Sequence, residues 1–391
     1  MADLFADLVG QPLAVRLLEA ALRQGRLAPA YLFSGPEGVG RRLGALRFLE
    51  GVLAAPDPGS ATVSGSTLPH LDLSGIPLAA SRSTVGPESF HGGGSGPGQA
   101  SLAIPPPALE PVPAAAPGLR RRLQQGNHPD LLWVEPTYSH QGRLVPLSRA
   151  EAEGVPRRAA PQLRLEQVRE VSSFLTRRPV EGGRCLVVLE GAEAMAEAAA
   201  NALLKTLEEP GDGLLVLISA APEQLLSTIR SRCQTIPFRR LSPALVEQVL
   251  ASVPEAAEPL SMNEPEAGPA VQVVVPDPPE LAELAAGSPG GLLQHRRQWR
   301  ALPEGLAPRL LALGTDPIEA LNLARELSEA LDLPQQLWLI DWMELALWRR
   351  RQRPAELRRL ERLRSQLRSY VQPRLAWEVA LLELTGSGLP S

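Results

Sequence analysis

Cysteine and lysine are scarce in this chain of 391 residues, and long apolar runs are absent. The only cysteines, Cys185 and Cys233, are expected to be reduced thiols packed as small apolar groups, and neither is expected to be catalytic. No apolar run approaches the roughly 20 residues of a membrane span, and the N-terminus lacks the basic segment of an export signal. The sequence therefore favours a cytoplasmic protein without membrane contact.

A zinc site and a general affinity for nucleic acid are not expected either. Residues 51–126 contain no cysteine, and His70, His91 and His128 are too scattered to replace a tetrahedral thiolate site. The net charge of −4 gives no general attraction to a polyanion, so any contact with DNA must be local.

A glycine-rich segment near the N-terminus has the context of a phosphate-binding loop. It follows the apolar residues 30–33 and precedes the helix-patterned residues 43–49, which gives the order strand, loop, helix. Gly35, Gly38 and Gly40 would let backbone N–H groups turn inward around phosphate oxygens, at the positive end of the helix dipole. Taken alone, the segment is equally compatible with an ordinary turn between a strand and a helix.

The two positions after this loop carry arginine. A functional loop has a lysine for the phosphates and then a Ser or Thr that ligates Mg²⁺, whereas this chain has Arg41 and Arg42. Lys205 is the only lysine, so a general exchange of Lys for Arg explains Arg41 but not Arg42. A guanidinium is larger than an ammonium and does not coordinate Mg²⁺. No tightly bound nucleotide is therefore expected.

A second apolar strand, residues 185–189, ends where an ATPase of this kind carries an acidic pair. The first carboxylate of such a pair holds Mg²⁺, and the second polarises the attacking water. Glu190 occupies the first position and Gly191 the second, and glycine has no side chain that could act as a base. Hydrolysis is expected to be impaired here independently of the loop.

The rest of the pattern predicts the fold class. Helix-patterned residues 196–209 and a third apolar strand, residues 214–218, continue the alternation of strands and helices. This order predicts an α/β fold in which one sheet lies between two layers of helices. The triplet Ser231-Arg232-Cys233 follows the last crossover, at an edge from which Arg232 could reach another subunit. A surface salt bridge is the alternative role for this arginine.

Five segments together resemble bacterial clamp-loader subunits, which are AAA+ proteins of the DNA polymerase III holoenzyme. Residues 201–210 and the triplet are the most specific of them, and the C-terminal helices fit the resemblance only by pattern. The segments are residues 7–11 (DLVGQ), 30–35 (AYLFSG), 127–131 (NHPDL), 201–210 (NALLKTLEEP) and 229–233 (IRSRC).

The resemblance implies three domains. Residues 1–240 would form an AAA+ P-loop-type three-layer sheet domain, residues 241–297 a small helical lid, and residues 298–391 a C-terminal all-α collar domain for oligomerisation. A stretch rich in Pro, Gly, Ser and Ala at about 54–118 and a Pro- and Glu-rich stretch at about 254–279 are expected to be disordered insertions, because they cannot bury enough apolar area.

The resemblance also implies a function without catalysis in this chain. The protein would join motor subunits of the gamma/tau type and a delta-type subunit in a hetero-pentamer that places the sliding clamp on primed DNA. Arg232 would act in trans as an arginine finger on ATP and Mg²⁺ held by the neighbouring subunit. No ATPase or polymerase activity of its own is expected.

Two other functions remain open at the level of sequence. One is an active ATPase subunit of the same loader, which would share the triplet containing Arg232, although Arg41, Arg42 and Gly191 oppose it. The other is a DNA-binding factor on an AAA+ scaffold, although the negative net charge and the lack of an interleaved basic and aromatic patch oppose it.

Overall fold

The computed structural model describes residues 4–55, 117–150, 152–155, 160–209, 211–252, 277–369 and 371–386. The two predicted insertions, at about 54–118 and 254–279, lie almost entirely outside these ranges. Met1–Ala55 and Val112–Ser391 belong to one compact unit.

Five parallel strands form the central sheet, and two antiparallel strands form a separate hairpin. In chain order the strands are β1 (Ala30–Ser34), β2 (Leu131–Val134), β3 (Thr137–His140), β4 (Arg143–Pro146), β5 (Leu186–Glu190), β6 (Leu214–Ser219) and β7 (Gln234–Pro237). The order across the sheet is β2-β5-β6-β1-β7, and the hairpin pairs β3 with β4. The three strands predicted from apolar runs are confirmed as β1, β5 and β6.

Side chains of these strands alternate between two buried clusters. In β1, Tyr31 and Phe33 belong to one cluster, whereas Ala30 and Leu32 belong to the other. Strands buried on both faces need apolar residues at every position, which explains the continuous apolar run in this part of the sequence. The predicted α/β class, with a parallel sheet covered by helices, is confirmed.

Six helices precede or connect the strands in the part of the chain that the structure describes. They are α1 (Pro12–Gln24), α2 (Arg41–Ala54), α3 (Pro117–Gln124), α4 (Leu165–Leu175), α5 (Glu197–Glu208) and α6 (Ser227–Arg230). Helix α5 confirms the helix predicted at residues 196–209. Helix α2 begins directly after the glycine-rich loop, so the residues at the two arginine positions open its first turn.

Only helices follow β7 among the described residues. They are α7 (Pro243–Ser252), α8 (Pro279–Ala285), α9 (Pro289–Arg300), α10 (Leu306–Leu311), α11 (Pro317–Ala330), α12 (Leu333–Arg351), α13 (Pro354–Arg368) and α14 (Pro373–Leu384). The buried cluster that includes Phe33 of β1 also includes Leu292 of α9 and Trp342 of α12. The predicted C-terminal helical region is confirmed. The domain boundaries at 240 and 297 stay predictions, and α9 continues through residue 297.

Candidate nucleotide site and the Arg232 segment

The glycine-rich loop connects the end of β1 to the start of α2. Gly35, Gly38 and Gly40 have positive φ angles of 144°, 71° and 101°, a region that glycine adopts without steric cost. The N–H of Gly35 donates to the carbonyl oxygen of Ser219 at 3.2 Å, which ties the loop to the end of β6. Gly40 is the N-cap residue of α2 and offers that helix no side-chain cap.

A cavity of about 610 Å³ lies between this loop, the carboxyl ends of β5 and β6, and α9. Its charged lining consists of four carboxylates and two guanidinium groups, from Glu37, Glu135, Glu190, Glu193, Arg41 and Arg42. Because the carboxylates outnumber the guanidinium groups, a polyanion that entered the cavity without a metal ion would meet an excess of negative charge.

Arg42 and Glu190, which stand at the two positions expected to hold Mg²⁺ in an active relative, contact each other. One terminal nitrogen of the Arg42 guanidinium lies 2.7 Å from Oε2 of Glu190. The indole N–H of Trp133 donates to the same oxygen at 2.8 Å, and the guanidinium carbon lies 4.6 Å from the centre of the indole ring. The Glu190 carboxylate is therefore paired with the guanidinium of Arg42 and hydrogen-bonded to the indole of Trp133, both from its own chain.

Arg41, predicted from the sequence to stand where a phosphate-binding loop carries its lysine, is a buried residue with 8% relative exposure. Burial is the largest influence on its guanidinium and lowers the pKa, and the negative charge of Glu193 is the strongest opposing effect. Glu193 also accepts a hydrogen bond from the N–H of Ala220 at 3.0 Å. Arg41 is thus surrounded by carboxylates as well as by the loop.

Gly191, predicted from the sequence to stand where an ATPase carries its catalytic base, has a backbone conformation that disfavours any side chain. Its φ and ψ angles are 62° and 44°, in the left-handed region. A Cβ atom added to it would lie 2.9 Å from Cγ of Pro136. Both the left-handed backbone conformation at residue 191 and the close approach of Pro136 therefore favour glycine at this position.

The start of α9 packs directly on the glycine-rich loop. The hydroxyl of Ser288 donates to the carbonyl oxygen of Glu37 at 2.6 Å, and the N–H of Gly290 donates to the carbonyl oxygen of Gly38 at 3.0 Å. A Cβ atom on Gly38 would lie 2.5 Å from the Ser288 hydroxyl and 2.6 Å from the nitrogen of Gly291. Two glycines thus allow the backbones of the loop and of α9 to touch.

Gln11 is a site residue that sequence reasoning missed. Its side chain is buried, and its amide nitrogen donates to the carbonyl oxygens of Val39 at 3.1 Å and Arg239 at 2.7 Å. Its amide oxygen accepts from the N–H of Arg239 at 2.9 Å. This one amide joins the loop to the segment that follows β7. Its place in the segment DLVGQ was the only sequence signal for it.

The segment NHPDL has a structural role through Asp130. This buried carboxylate accepts three backbone hydrogen bonds, from Val180 at 2.6 Å, Glu181 at 2.8 Å and Gly182 at 2.7 Å. Burial is the largest single influence and would raise the pKa of Asp130, but the three N–H donors together lower it. Asp130 therefore fixes the segment that leads into β5, the strand that carries Glu190.

Arg232 is exposed and lies between α6 and β7. One terminal nitrogen of its guanidinium donates to the carbonyl oxygen of Thr228 at 3.1 Å, and the other donates to Oε1 of Glu208 at 2.9 Å. The Arg232 side chain keeps 37% of its surface exposed and that of Glu208 keeps 53%. The surface salt bridge named as an alternative is present, and the side chain also remains open to solvent.

Arg232 and the glycine-rich loop belong to different surfaces of the described chain. None of the cavity-lining residues comes from residues 227–233. Next to the arginine, burial raises the pKa of Cys233 to about 12, so this thiol has little thiolate character at neutral pH. The sequence predicted a role in trans for Arg232 and a degenerate nucleotide loop at residues 35–42, and Arg232 is not among the residues that line the cavity at this loop.

Among the described residues, no group of three or more His, Cys, Asp and Glu side chains is arranged to hold a metal ion. None of their helices combines the length and the apolar character that a transmembrane segment requires.

The chain is similar to several known proteins over parts of its length. Residues 116–242 match the family described as DNA polymerase III, delta subunit, and residues 266–384 match the C-terminal domain of cyanobacterial DNA polymerase III delta prime. The DNA polymerase III subunit delta' of Pseudomonas aeruginosa is 40% identical over 170 residues, which is 43% of this chain and 40% of that protein. The tau/gamma subunit of Haemophilus influenzae is 24% identical over 250 residues, which is 64% of this chain and 26% of that protein.

One solved structure is also similar. It is that of a DNA polymerase III gamma subunit-related protein from Thermotoga maritima, with a TM-score of 0.45 and 14% identity over 94% of this chain and 98% of its own.

Both family matches, one to the delta subunit and one to the C-terminal domain of delta prime, are to parts of DNA polymerase III. The C-terminal match and the Pseudomonas relative make the chain similar to delta-prime subunits of DNA polymerase III. Its matched segment spans less than half the length of each curated relative named above.

Proposed function

We propose that the protein is a non-hydrolysing, delta-prime-type subunit of the DNA polymerase III clamp loader, which supplies Arg232 in trans to an ATPase site on the neighbouring subunit. Its own glycine-rich loop holds no tightly bound nucleotide, and the chain binds no zinc. ATP and Mg²⁺ are bound by the neighbour. The protein acts during the placement of the sliding clamp on primed DNA.

The observation that carries the proposal is the contact between Arg42 and Glu190 at 2.7 Å. Mg²⁺ bound with ATP needs oxygen ligands at these two positions, a hydroxyl from the loop and a carboxylate from the strand. Here the first position carries a cation that cannot ligate Mg²⁺, and this cation neutralises the carboxylate at the second. The residues present therefore do not fit Mg²⁺ and ATP.

Two other features support the lack of hydrolysis. The cavity has more carboxylates than guanidinium groups, so binding of a nucleotide without a metal ion is electrostatically disfavoured. Gly191 provides no base for the attacking water, and its left-handed backbone disfavours a side chain. Each feature acts independently of the contact made by Arg42.

Arg232 suits a role in trans because its guanidinium is partly exposed and can form several hydrogen bonds to a phosphate. In phosphoryl transfer, negative charge spreads over the oxygens of the transferred group, and an arginine from a second subunit stabilises it. Such an arginine is worth about 10³ to 10⁵ in rate. A guanidinium has five N–H donors, and contacts with Thr228 and Glu208 leave others for a phosphate.

The proposed partners follow from the family and from the relatives of the chain. Family members of the delta-prime and delta types and a tau/gamma relative all match this sequence. We infer a hetero-pentamer with gamma/tau-type motor subunits and a delta-type subunit, in which the C-terminal helices make the collar contacts. The sliding clamp and primed DNA are reached through these partners.

The test is Arg232→Ala in the reconstituted complex, with Arg230→Ala as the matched control. Arg230 is also exposed and lies two positions away. Arg232→Ala should leave assembly intact and lower hydrolysis at the neighbouring site by about 10³-fold or more, whereas Arg230→Ala should not. Co-elution of the subunits and ATP turnover stimulated by DNA and clamp are the measurements. Unchanged turnover in Arg232→Ala would reject the role in trans.

The two rival functions are tested on the isolated chain. Tight binding of Mg²⁺ and ATP with turnover would support an active ATPase subunit and contradict the proposal. Binding of duplex DNA whose affinity falls steeply with salt would support a DNA-binding factor. The proposal expects neither activity.

A further inference from the structure

We propose that Glu208, the last residue of α5, is a positioning residue for Arg232. The inference rests on the proposed role of Arg232 in trans and adds to it a carboxylate that orients the guanidinium before the neighbouring subunit arrives. Glu208 lies in the segment LEEP, at residues 207–210, which was noted in the sequence only as a part of the family pattern.

Two acceptors of the same chain hold the guanidinium from one side. Oε1 of Glu208 lies 2.9 Å from one terminal nitrogen, and the carbonyl oxygen of Thr228 lies 3.1 Å from the other. Because both terminal nitrogens of a planar group are engaged, the orientation of the guanidinium plane is fixed. The exposed part of the side chain is then directed away from these acceptors.

The backbones that carry the two acceptors are themselves fixed. Thr228 lies in α6, and its neighbour Ile229 is fully buried in the cluster on one sheet face. Leu203 and Leu207 anchor the last turns of α5 in the same cluster. Glu208 is therefore presented from the end of a packed helix and not from a mobile loop.

The contact with Arg232 explains why a carboxylate lies at the C-terminal end of α5. A carboxylate at the C-terminus of a helix faces the negative end of the helix dipole, which is unfavourable unless a cation lies nearby. Arg232 provides that cation from the segment between α6 and β7. The pair is exposed, so its value for stability is small, and its main effect is on the orientation of the arginine.

The orientation of Arg232 matters because an arginine side chain has many rotamers. Only a few of them place the guanidinium where it stabilises the transition state. A free side chain loses this rotational freedom when it reaches the phosphate of a neighbour, whereas a side chain already held by two contacts has lost most of it. Removal of one contact should therefore lower the rate of the chemical step. Binding of ATP to the neighbouring subunit should change little, so kcat falls while KM for ATP stays constant.

The test uses Glu208→Ala in the reconstituted complex, with Glu209→Ala as the matched control. Glu209 is the next residue and is also exposed. Glu208→Ala should lower the kcat of stimulated ATP hydrolysis at the neighbouring site by about threefold with an unchanged KM. Glu209→Ala should leave both constants unchanged. Glu208→Gln, which keeps an acceptor oxygen but no charge, should lie between Glu208→Ala and the wild type.

A double substitution separates positioning from a general structural effect. If Glu208 acts through Arg232, then Glu208→Ala should have no further effect on turnover when Arg232→Ala is already present. A further loss in the double variant, or equal losses in Glu208→Ala and Glu209→Ala, would overturn the inference. The thermal midpoint of the isolated variants shows whether folding has changed.

The outcomes also distinguish this inference from the proposed function. Normal turnover in Arg232→Ala rejects the role in trans and the positioning role together. A large loss in Arg232→Ala with normal turnover in Glu208→Ala rejects only the positioning role.

Discussion

The two arginine-bearing regions of the molecule, the glycine-rich loop and the Arg232 segment, differ in how their polar groups are satisfied. At the loop, Arg42 is bound to Glu190 and Trp133, and the backbone of Gly38 is covered by α9. At the other region, Arg232 has two contacts on one side and an exposed surface on the other. The Arg42 side chain keeps 57% of its surface exposed, but its carboxylate partner lines the cavity, whereas the partner of Arg232 lies outside the cavity.

The difference shows which contacts of the chain itself join the glycine-rich loop to the elements around it. In a nucleotide-binding protein, the phosphates and Mg²⁺ join the loop, the strand end and the helix that packs above them. Here an ion pair, a buried glutamine and a contact between two glycine backbones make these connections. The substitutions below test the loop side of the comparison first and the two arginines last.

The largest expected effect is that of Asp130→Asn. This substitution would loosen the segment that leads into β5, the strand that carries Glu190. Loss of a buried carboxylate that accepts three backbone hydrogen bonds should lower the free energy of unfolding by about 3 kcal/mol. Asp212→Asn, at an exposed aspartate, is the control. Urea unfolding of both variants is the measurement, and equal stabilities would contradict the assigned role.

The same substitution has a defined pH dependence. The pKa of Asp130 is lower in the folded state than its ordinary value of about 4. The stabilising contribution of its carboxylate should therefore be complete above about pH 4 and be lost as the pH falls through the folded-state pKa. The difference between the wild type and Asp130→Asn should shrink accordingly at acid pH. A difference that stays constant down to pH 2 to 3 would refute this assignment.

Gln11→Ala should have the next largest effect, because it removes three hydrogen bonds between the loop and the segment after β7. A cost of about 2 kcal/mol is expected, since the backbone groups of Val39 and Arg239 lose buried partners. Gln24→Ala, at the exposed end of α1, should cost far less. Hydrogen exchange at residues 35–40 should become faster in Gln11→Ala only; equal exchange in both variants would weaken the loop side of the comparison.

Gly38→Ala tests the contact between the loop and α9, with Gly142→Ala as a control for backbone strain. The two glycines have similar φ angles, 71° and 75°, but a Cβ atom at Gly142 would have nothing within 4 Å. Each alanine should cost about 1 kcal/mol through its left-handed backbone, and Gly38→Ala about 1 kcal/mol more through its collision with Ser288. Equal losses in thermal unfolding would mean that α9 moves away without cost.

The smallest effects on stability should come from the arginines themselves. Arg42→Ala and Arg232→Ala each remove a partly exposed ion pair, so each should cost about 0.5 kcal/mol, with a small addition at Arg42 from its contact with Trp133. Tryptophan fluorescence should change in Arg42→Ala and not in Arg232→Ala. A loss of several kcal/mol in Arg232→Ala would mean that this arginine serves the fold and not a neighbour.

Several elements could be predicted because their signals are local. Uninterrupted apolar runs predicted β1, β5 and β6, and helical periodicity ended by a proline predicted α5. The glycine pattern located the loop, and the missing hydroxyl at Arg42 and missing carboxylate at Gly191 were visible as single letters. These inferences need only neighbours in the chain.

Other features could not be predicted because they join distant residues. Trp133 lies 57 positions from Glu190, and Gln11 lies 228 positions from Arg239. The strand β2 and the hairpin of β3 and β4 are short and lack a strong pattern, so they were not predicted. The partner of Arg232 was missed for a similar reason, because Glu208 ends α5 whereas Arg232 follows α6.

The amino-acid sequence by itself determined the chemical identity of each position, and hence which groups could bind Mg²⁺, act as a base or carry a positive charge. It also determined the main strands, because local periodicity reflects burial. Only the tertiary structure decided which of these groups meet, since hydrogen bonds and ion pairs act over a few ångströms in space whatever the separation along the chain. That is why two arginines of the same chemistry differ, with Arg42 bound to a carboxylate that lines the cavity and Arg232 bound to a carboxylate at the end of α5.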